Sequence, residues 1–205
     1  MKWGTMRIVA LALVASVLLA ACSTPVVPDM TYYRLPEPDL ADVAIQKSFA
    51  IPIDVNVFAA DGLYSEQALI FTKKEDGRAL QTYHYQQWVD PPARLLQRRL
   101  IGILRRAGVA PLVTDRLPAS ADALVITGVI LRFDRVRAET KQRADVALQL
   151  RVEHRGDLLY EHVYRASQDA KDAELQSTVE AFGAALDAIY ADFLRDLSKI
   201  EVSRR

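Results

Sequence analysis

The chain has one cysteine in 205 residues, three histidines and eight glycines, and its 26 basic side chains balance its 26 acidic ones. Each scarcity removes a class of protein. A single thiol, Cys22, cannot form an internal disulfide or a thiolate cage for a metal. His84, His154 and His162 lack zinc-site spacing, read as surface residues, and lead to no expected metal. The glycines build neither a phosphate-cradling loop nor a nucleophile elbow. The carboxylates are scattered, so no catalytic residue and no cofactor is expected. Balanced charge provides no basic field, which argues against a nucleic-acid partner. The uncharged stretch from Ile8 to Leu19 is short for a membrane span.

What stands around Cys22 is more informative. Lys2 and Arg7 open the chain, the apolar run follows, and small residues close it at Leu19-Ala20-Ala21-Cys22, the layout of a secretory signal peptide. The box is similar to a bacterial lipoprotein signal, which implies cleavage before Cys22 and acylation of that residue. Acylation would also remove a lone reactive thiol from an exported protein. Residues 1–21 are then signal peptide, 22–30 a lipidated cysteine and tether, 31–200 a single domain and 201–205 a charged tail. Eight extended positions from Ser23 to Met30, at about 3.1 Å each, hold the domain within roughly 25 Å of the bilayer. Ser23 is not the Asp that resembles an inner-membrane retention signal. The expected address is therefore the outer membrane, facing the periplasm.

Periodicity sets out the domain. Short strands are expected at Thr31 to Leu35 and Phe49 to Phe58, where Pro52 argues for an edge or a bulge. Gln67 to Lys73 and Ala79 to Tyr85 form a hairpin turned at Asp76-Gly77. Pro91-Pro92 opens a helix with the stripe Leu96, Leu100, Leu104 and Ala107; Arg94, Arg98 and Arg105 lie on its solvated side, and Gly108 ends it. Strands at Val109 to Thr114, Ala123 to Phe133, Ala144 to Val152 and Leu158 to Arg165 follow. In the third of these, Val146, Leu148, Leu150 and Val152 alternate with the polar Asp145, Gln149, Arg151 and Glu153, which predicts one buried and one wet face. A turn at Gly156-Asp157 joins it to the last strand. Leu175, Val179, Phe182, Leu186, Ile189, Phe193 and Leu197 then form one apolar stripe on a helix from Ala173 to Leu197. The order of elements predicts an α+β fold: a mixed, largely antiparallel sheet with two main helices packed on one face.

The stretch Tyr83-His84-Tyr85-Gln86-Gln87-Trp88-Val89-Asp90-Pro91-Pro92 passes from a strand into a proline-capped helix. With the lipobox, Tyr32-Tyr33-Arg34-Leu35 and the helix from Leu96 to Gly108, it resembles the ABC-type transport auxiliary lipoprotein family, the paraquat-inducible protein C-like, MCE-associated lipoproteins. The resemblance covers about Tyr32 to Leu197. It implies partnership with an MCE-domain protein and with ABC transporter or permease subunits that move lipids between membranes, through a non-catalytic accessory held at the membrane by its lipid anchor. A longer Pro-Gly loop common in the family is replaced here by Ala60-Asp61-Gly62-Leu63-Tyr64-Ser65-Glu66.

Candidate partner-binding residues are Leu63 and Tyr64 in that segment, and Tyr83, Tyr85 and Trp88 at the strand-to-helix corner. For the aromatics, plain core packing is the competing expectation. A structural lipoprotein that assists assembly of another envelope complex is the alternative function, and self-association stays open.

Overall fold

The computed structural model describes residues 28–39, 48–118, 120–138 and 141–202. The signal peptide, Cys22 and most of the tether fall outside them, as do tail residues 203–205. The elements run β1 (Thr31–Tyr33), β2 (Ile53–Val55), β3 (Ala59–Ala60), a 3₁₀ turn at Gly62–Ser65, β4 (Ala68–Thr72), β5 (Leu80–Trp88), α1 (Pro92–Arg106), β6 (Val113–Thr114), β7 (Leu124–Arg137), β8 (Gln142–His154), β9 (Asp157–Asp169) and α2 (Leu175–Leu197).

The sheet is organised around β7. One of its edges pairs antiparallel with β8 from Leu124↔His154 to Arg137↔Gln142. The other edge is shared by three short parallel strands: β2 at Leu124 to Ile126, β3 at Val129 and Ile130, and β4 at Arg135 and Val136. From there β4 pairs antiparallel with β5, β5 parallel with β1, and β2 parallel with β6. On the far side β8 pairs antiparallel with β9. The fold is thus a single α+β domain built on a mixed sheet, in which the long ladders of β8 are antiparallel and the short ones, β4 with β5 excepted, are parallel.

A bulge between Ile130 and Arg132 decides which side chains of β7 meet the helices. It leaves Leu131 exposed and shifts the alternation by one residue, so Leu124, Ile126 and Ile130 are buried before it and Phe133 after it. Trp88, Phe133 and Phe182 meet there, with ring centroids 5.3 Å apart for Trp88 and Phe133 and 4.4 Å for Phe133 and Phe182.

Both helices lie on the same face. The Tyr190 hydroxyl on α2 donates to the Leu96 carbonyl of α1 at 3.0 Å, and Gln97 Nε2 ties α1 to the Val55 carbonyl of β2 at 2.8 Å. Leu96, Leu100 and Leu104 of the α1 stripe are buried, as is the α2 stripe from Val179 to Leu197. Burying a large apolar side chain contributes about 1.5–3 kcal/mol, so these two stripes are a main source of the fold's stability.

Several local expectations need correction. The strand expected from Phe49 to Phe58 is the three-residue β2 followed by β3. Pro52 precedes β2 and uses only its carbonyl, accepting from Leu124 N–H at 2.9 Å, so β2 is an interior strand between β6 and β7. The β8–β9 turn residues are Arg155 and Gly156, both with positive φ, which sets His154 opposite Asp157. His154 is buried, its Nε2 2.8 Å from Asp122 Oδ1, whereas His84 and His162 are exposed. Asp145, expected on the wet face of β8, is also buried.

Candidate functional site

The 3₁₀ turn at Gly62–Ser65 sits beside β7, and its two apolar residues have different fates. Leu63 is 36% exposed, whereas the hydroxyl of Tyr64 is turned inward and donates to Asp134 Oδ1 at 2.9 Å. Burial first, then the neighbouring Asp134 carboxylate, push the Tyr64 phenol well above its ordinary pKa, so it stays protonated at physiological pH and can donate to Asp134.

Asp134 itself is fully buried, and the register of β7 and β8 places it opposite Asp145. Two adjacent buried carboxylates would repel strongly without counter-charges. Arg132 provides the first, with Nε 3.0 Å from Asp134 Oδ1 and one terminal nitrogen 3.0 Å from Asp145 Oδ2; Arg143 adds the second, with Nε 2.8 Å from Asp145 Oδ1. The Gly77 turn closes over this cluster, since a Cβ on Gly77 would fall 2.6 Å from the Arg132 guanidinium. Tyr64, Arg132, Asp134, Arg143 and Asp145 therefore form a satisfied ionic network that locks the 3₁₀ turn onto the sheet.

At the strand-to-helix corner, Tyr83 and Tyr85 are half-buried and Trp88 is only 1% exposed. The Tyr83 hydroxyl accepts from Arg135 at 2.9 Å while its ring lies 4.5 Å from Phe71. Arg135 is buried and also donates to Gln142 and to the Ala173 carbonyl at 2.7 Å, joining β5, β7, β8 and the approach to α2. Trp88 is thus a core residue, Tyr64 and Tyr83 present edges with their hydroxyls engaged inside, and Leu63 and Tyr85 retain apolar surface. Of the five candidates, Trp88 is therefore the one withdrawn from the surface.

A second region had no marker in the sequence. After β1 the chain continues as an extended strap, residues 34–39, across the helical layer. Arg99 of α1 donates to the Pro36 carbonyl and pairs with Asp187 of α2 at 2.6 Å, and Asp187 Oδ2 accepts from Asp39 N–H at 3.1 Å. Gly183 makes room for the strap, because a Cβ there would collide with the Pro36 ring. Between strap and α1 lies a groove of about 500 Å³ lined by Arg34, Leu35, Val89, Asp90, Arg98 and Arg106 among others, with Gly102 in its floor. A smaller depression between β9 and the end of α2 is lined by Tyr164 and Asp196, and there the Tyr160 and Tyr164 hydroxyls donate to Asp196 Oδ2 at 2.8 and 2.9 Å.

Among the described residues no three His, Cys, Asp or Glu side chains are grouped so as to hold a metal, and no helix is long and apolar enough to cross a membrane.

With this architecture in view, comparison with known proteins defines the class. The profile of the ABC-type transport auxiliary lipoprotein component matches residues 33–193, and the chain belongs to that family. The fold is similar to that of protein XCC0632 from Xanthomonas campestris, of family DUF330, at 15% identity and a TM-score of 0.67, covering 80% of this chain and 92% of that one. A crystal structure of an uncharacterized protein is similar at 12% identity and a TM-score of 0.66, covering 83% and 99%. No curated protein matches.

Proposed function

We propose that the chain is an outer-membrane-anchored periplasmic accessory lipoprotein of an MCE-type lipid transport system, acylated at Cys22 and acting as a non-enzymatic docking module. The family match over residues 33–193 carries this reading, and the Leu-Ala-Ala-Cys box supports the anchor. The partners are an MCE-domain protein and, through it, the ABC transporter or permease subunits.

The docking surface centres on Leu63, with Tyr85 as a second contact. Leu63 is exposed on a turn whose neighbour Tyr64 is held by the buried Asp134 network, so little conformational freedom is lost when a partner covers it. Trp88, buried against Phe133 and Phe182, maintains the strand-to-helix corner rather than contacting the partner.

Photocrosslinking from position 63 in cells that contain the transport system tests the reading. A crosslink to the MCE-domain protein is expected. Crosslinks only to a different envelope complex would replace the proposal with the assembly-lipoprotein alternative. Separation of inner and outer membranes, with wild type compared to Cys22→Ala, tests the anchor independently: wild type is expected in the outer membrane, and the variant in the soluble periplasmic fraction.

A further inference from the structure

Gly102 lies inside α1, where glycine is the least favourable residue apart from proline. A tightly packed neighbour would explain it, yet a Cβ built there meets nothing within 4 Å. No described atom requires the missing side chain. Gly102 instead forms part of the groove floor, where the absent side chain keeps the helix backbone open to close approach.

Arg98 and Arg106 lie four residues to either side of Gly102, hence on the same helix face and each about 6 Å away along the axis. Both line the groove, and Arg34 approaches from the strap opposite. Arg34 makes no side-chain hydrogen bond or ion pair with another described residue. Two carboxylates also line the groove. Asp90 holds the Arg98 guanidinium at 2.7 Å, which orients it and leaves further N–H donors free. Glu37 is 3.8 Å from Arg106, with both side chains largely exposed, and such a pair adds little that a better anion would have to displace.

We propose that this groove binds the phosphate of an anionic phospholipid, seated over Gly102 between Arg98 and Arg106 and covered by Arg34. Guanidinium groups match phosphate oxygens in bidentate fashion, which favours phosphate over a diffuse anionic surface. Leu35, Val89 and Leu95 provide apolar wall beside the arginines, so the groove suits an amphiphile better than a free ion. Its volume of about 500 Å³ takes a headgroup and the first carbons of the acyl chains, while the rest of the lipid remains outside. The assignment of a lipid rests on the anchored-lipoprotein reading, in which a short tether holds the strap near the bilayer.

Native mass spectrometry of the full lipoprotein, released from nonionic detergent after incubation with defined lipids, tests the proposal. Wild type should retain phosphatidylglycerol about tenfold more strongly than phosphatidylcholine, and inorganic phosphate should compete only weakly. Gly102→Met, whose Cβ meets nothing within 4 Å and whose side chain occupies the groove, and the double variant Arg34→Gln/Arg106→Gln should each lose about tenfold in phosphatidylglycerol retention with no drop in melting temperature. Equal retention of the two lipids, wild-type retention by both variants, or competition by inorganic phosphate as effective as by phosphatidylglycerol would overturn the proposal. The same spectra report the acyl mass on Cys22. Loss of the lipoprotein reading is therefore visible separately from loss of the groove site.

Discussion

Asp187 of α2 grips Arg99 of α1 at 2.6 Å and at the same time accepts the backbone N–H of Asp39, so one carboxylate joins both helices to the strap. Arg99 completes the clamp by donating to the Pro36 carbonyl. Both side chains of the pair are largely withdrawn from water. Removal of either partner would leave an uncompensated charge beside backbone groups that also lose their ligand.

Arg99→Ala is accordingly expected to lower stability by about 3–5 kcal/mol, as for other broken buried pairs. Replacement of both partners by apolar residues, Arg99→Met with Asp187→Leu, should recover much of that loss in a denaturant titration while leaving the strap free. Limited trypsin digestion would then cut at Arg34 faster than in wild type. An Arg99→Ala protein with wild-type stability and an uncut strap would show that the clamp holds nothing.

The glycines predict opposite signs. Gly102→Ala should stabilise by about 0.5–1 kcal/mol, because a helix former replaces glycine where the new Cβ meets nothing. Gly128→Ala and Gly183→Ala should destabilise: the first brings a Cβ to 2.7 Å from the Phe58 ring, and the second drives one into Pro36. Thermal melts of the three variants check this order, and equal shifts would refute it.

Much of the fold was legible because it rests on local periodicity. The α1 and α2 stripes, the alternation in β8 and the Asp76-Gly77 turn all declare themselves within about ten residues. The parts that stayed hidden depend on partners distant in the chain. The bulge at Leu131 interrupts the alternation of β7, so periodicity ends that strand at Phe133 and the buried roles of Asp134 and Arg135 could not be read. Asp145 is buried only because β7 brings Asp134 and Arg132 beside it, and Arg99 and Asp187 meet across 88 residues. The candidate corner was legible as aromatic but not as divided: whether Trp88 points inward depends on Phe133 and Phe182, which belong to other elements.

The phenols predict alkaline sensitivity. Burial, followed by the neighbouring hydroxyl and carboxylate, pushes Tyr164 up; burial outweighs the opposing Arg99 charge at Tyr190; and burial with Asp134 raises Tyr64. Unfolded phenols titrate near pH 10, so above about that pH the native state binds more protons than the unfolded one, and stability falls as pH rises further. Melting temperature should decline above about pH 10, and less steeply for Tyr164→Phe. Native titration of all eight tyrosines as ordinary phenols, followed by phenolate absorbance, would contradict this.

Leu63 and Trp88 separate association from stability. Trp88 is buried against Phe133 and Phe182, so Trp88→Ala opens a cavity and should cost about 3–5 kcal/mol, with any loss of partner capture following from the damaged corner. Leu63 is exposed on a turn held by its neighbour Tyr64, so Leu63→Ala removes little buried surface and should stay within about 0.5 kcal/mol of wild type. If Leu63 is one of the few interface residues whose truncation costs about 1 kcal/mol or more, its loss corresponds to about a fivefold loss of affinity or greater. If the proposed MCE-domain partner docks there, the expected pattern is a stable Leu63→Ala protein that captures it poorly, Tyr85→Ala with a smaller loss, and an unstable Trp88→Ala protein. Normal folding with full capture by both Leu63→Ala and Tyr85→Ala would move the docking surface elsewhere on the domain.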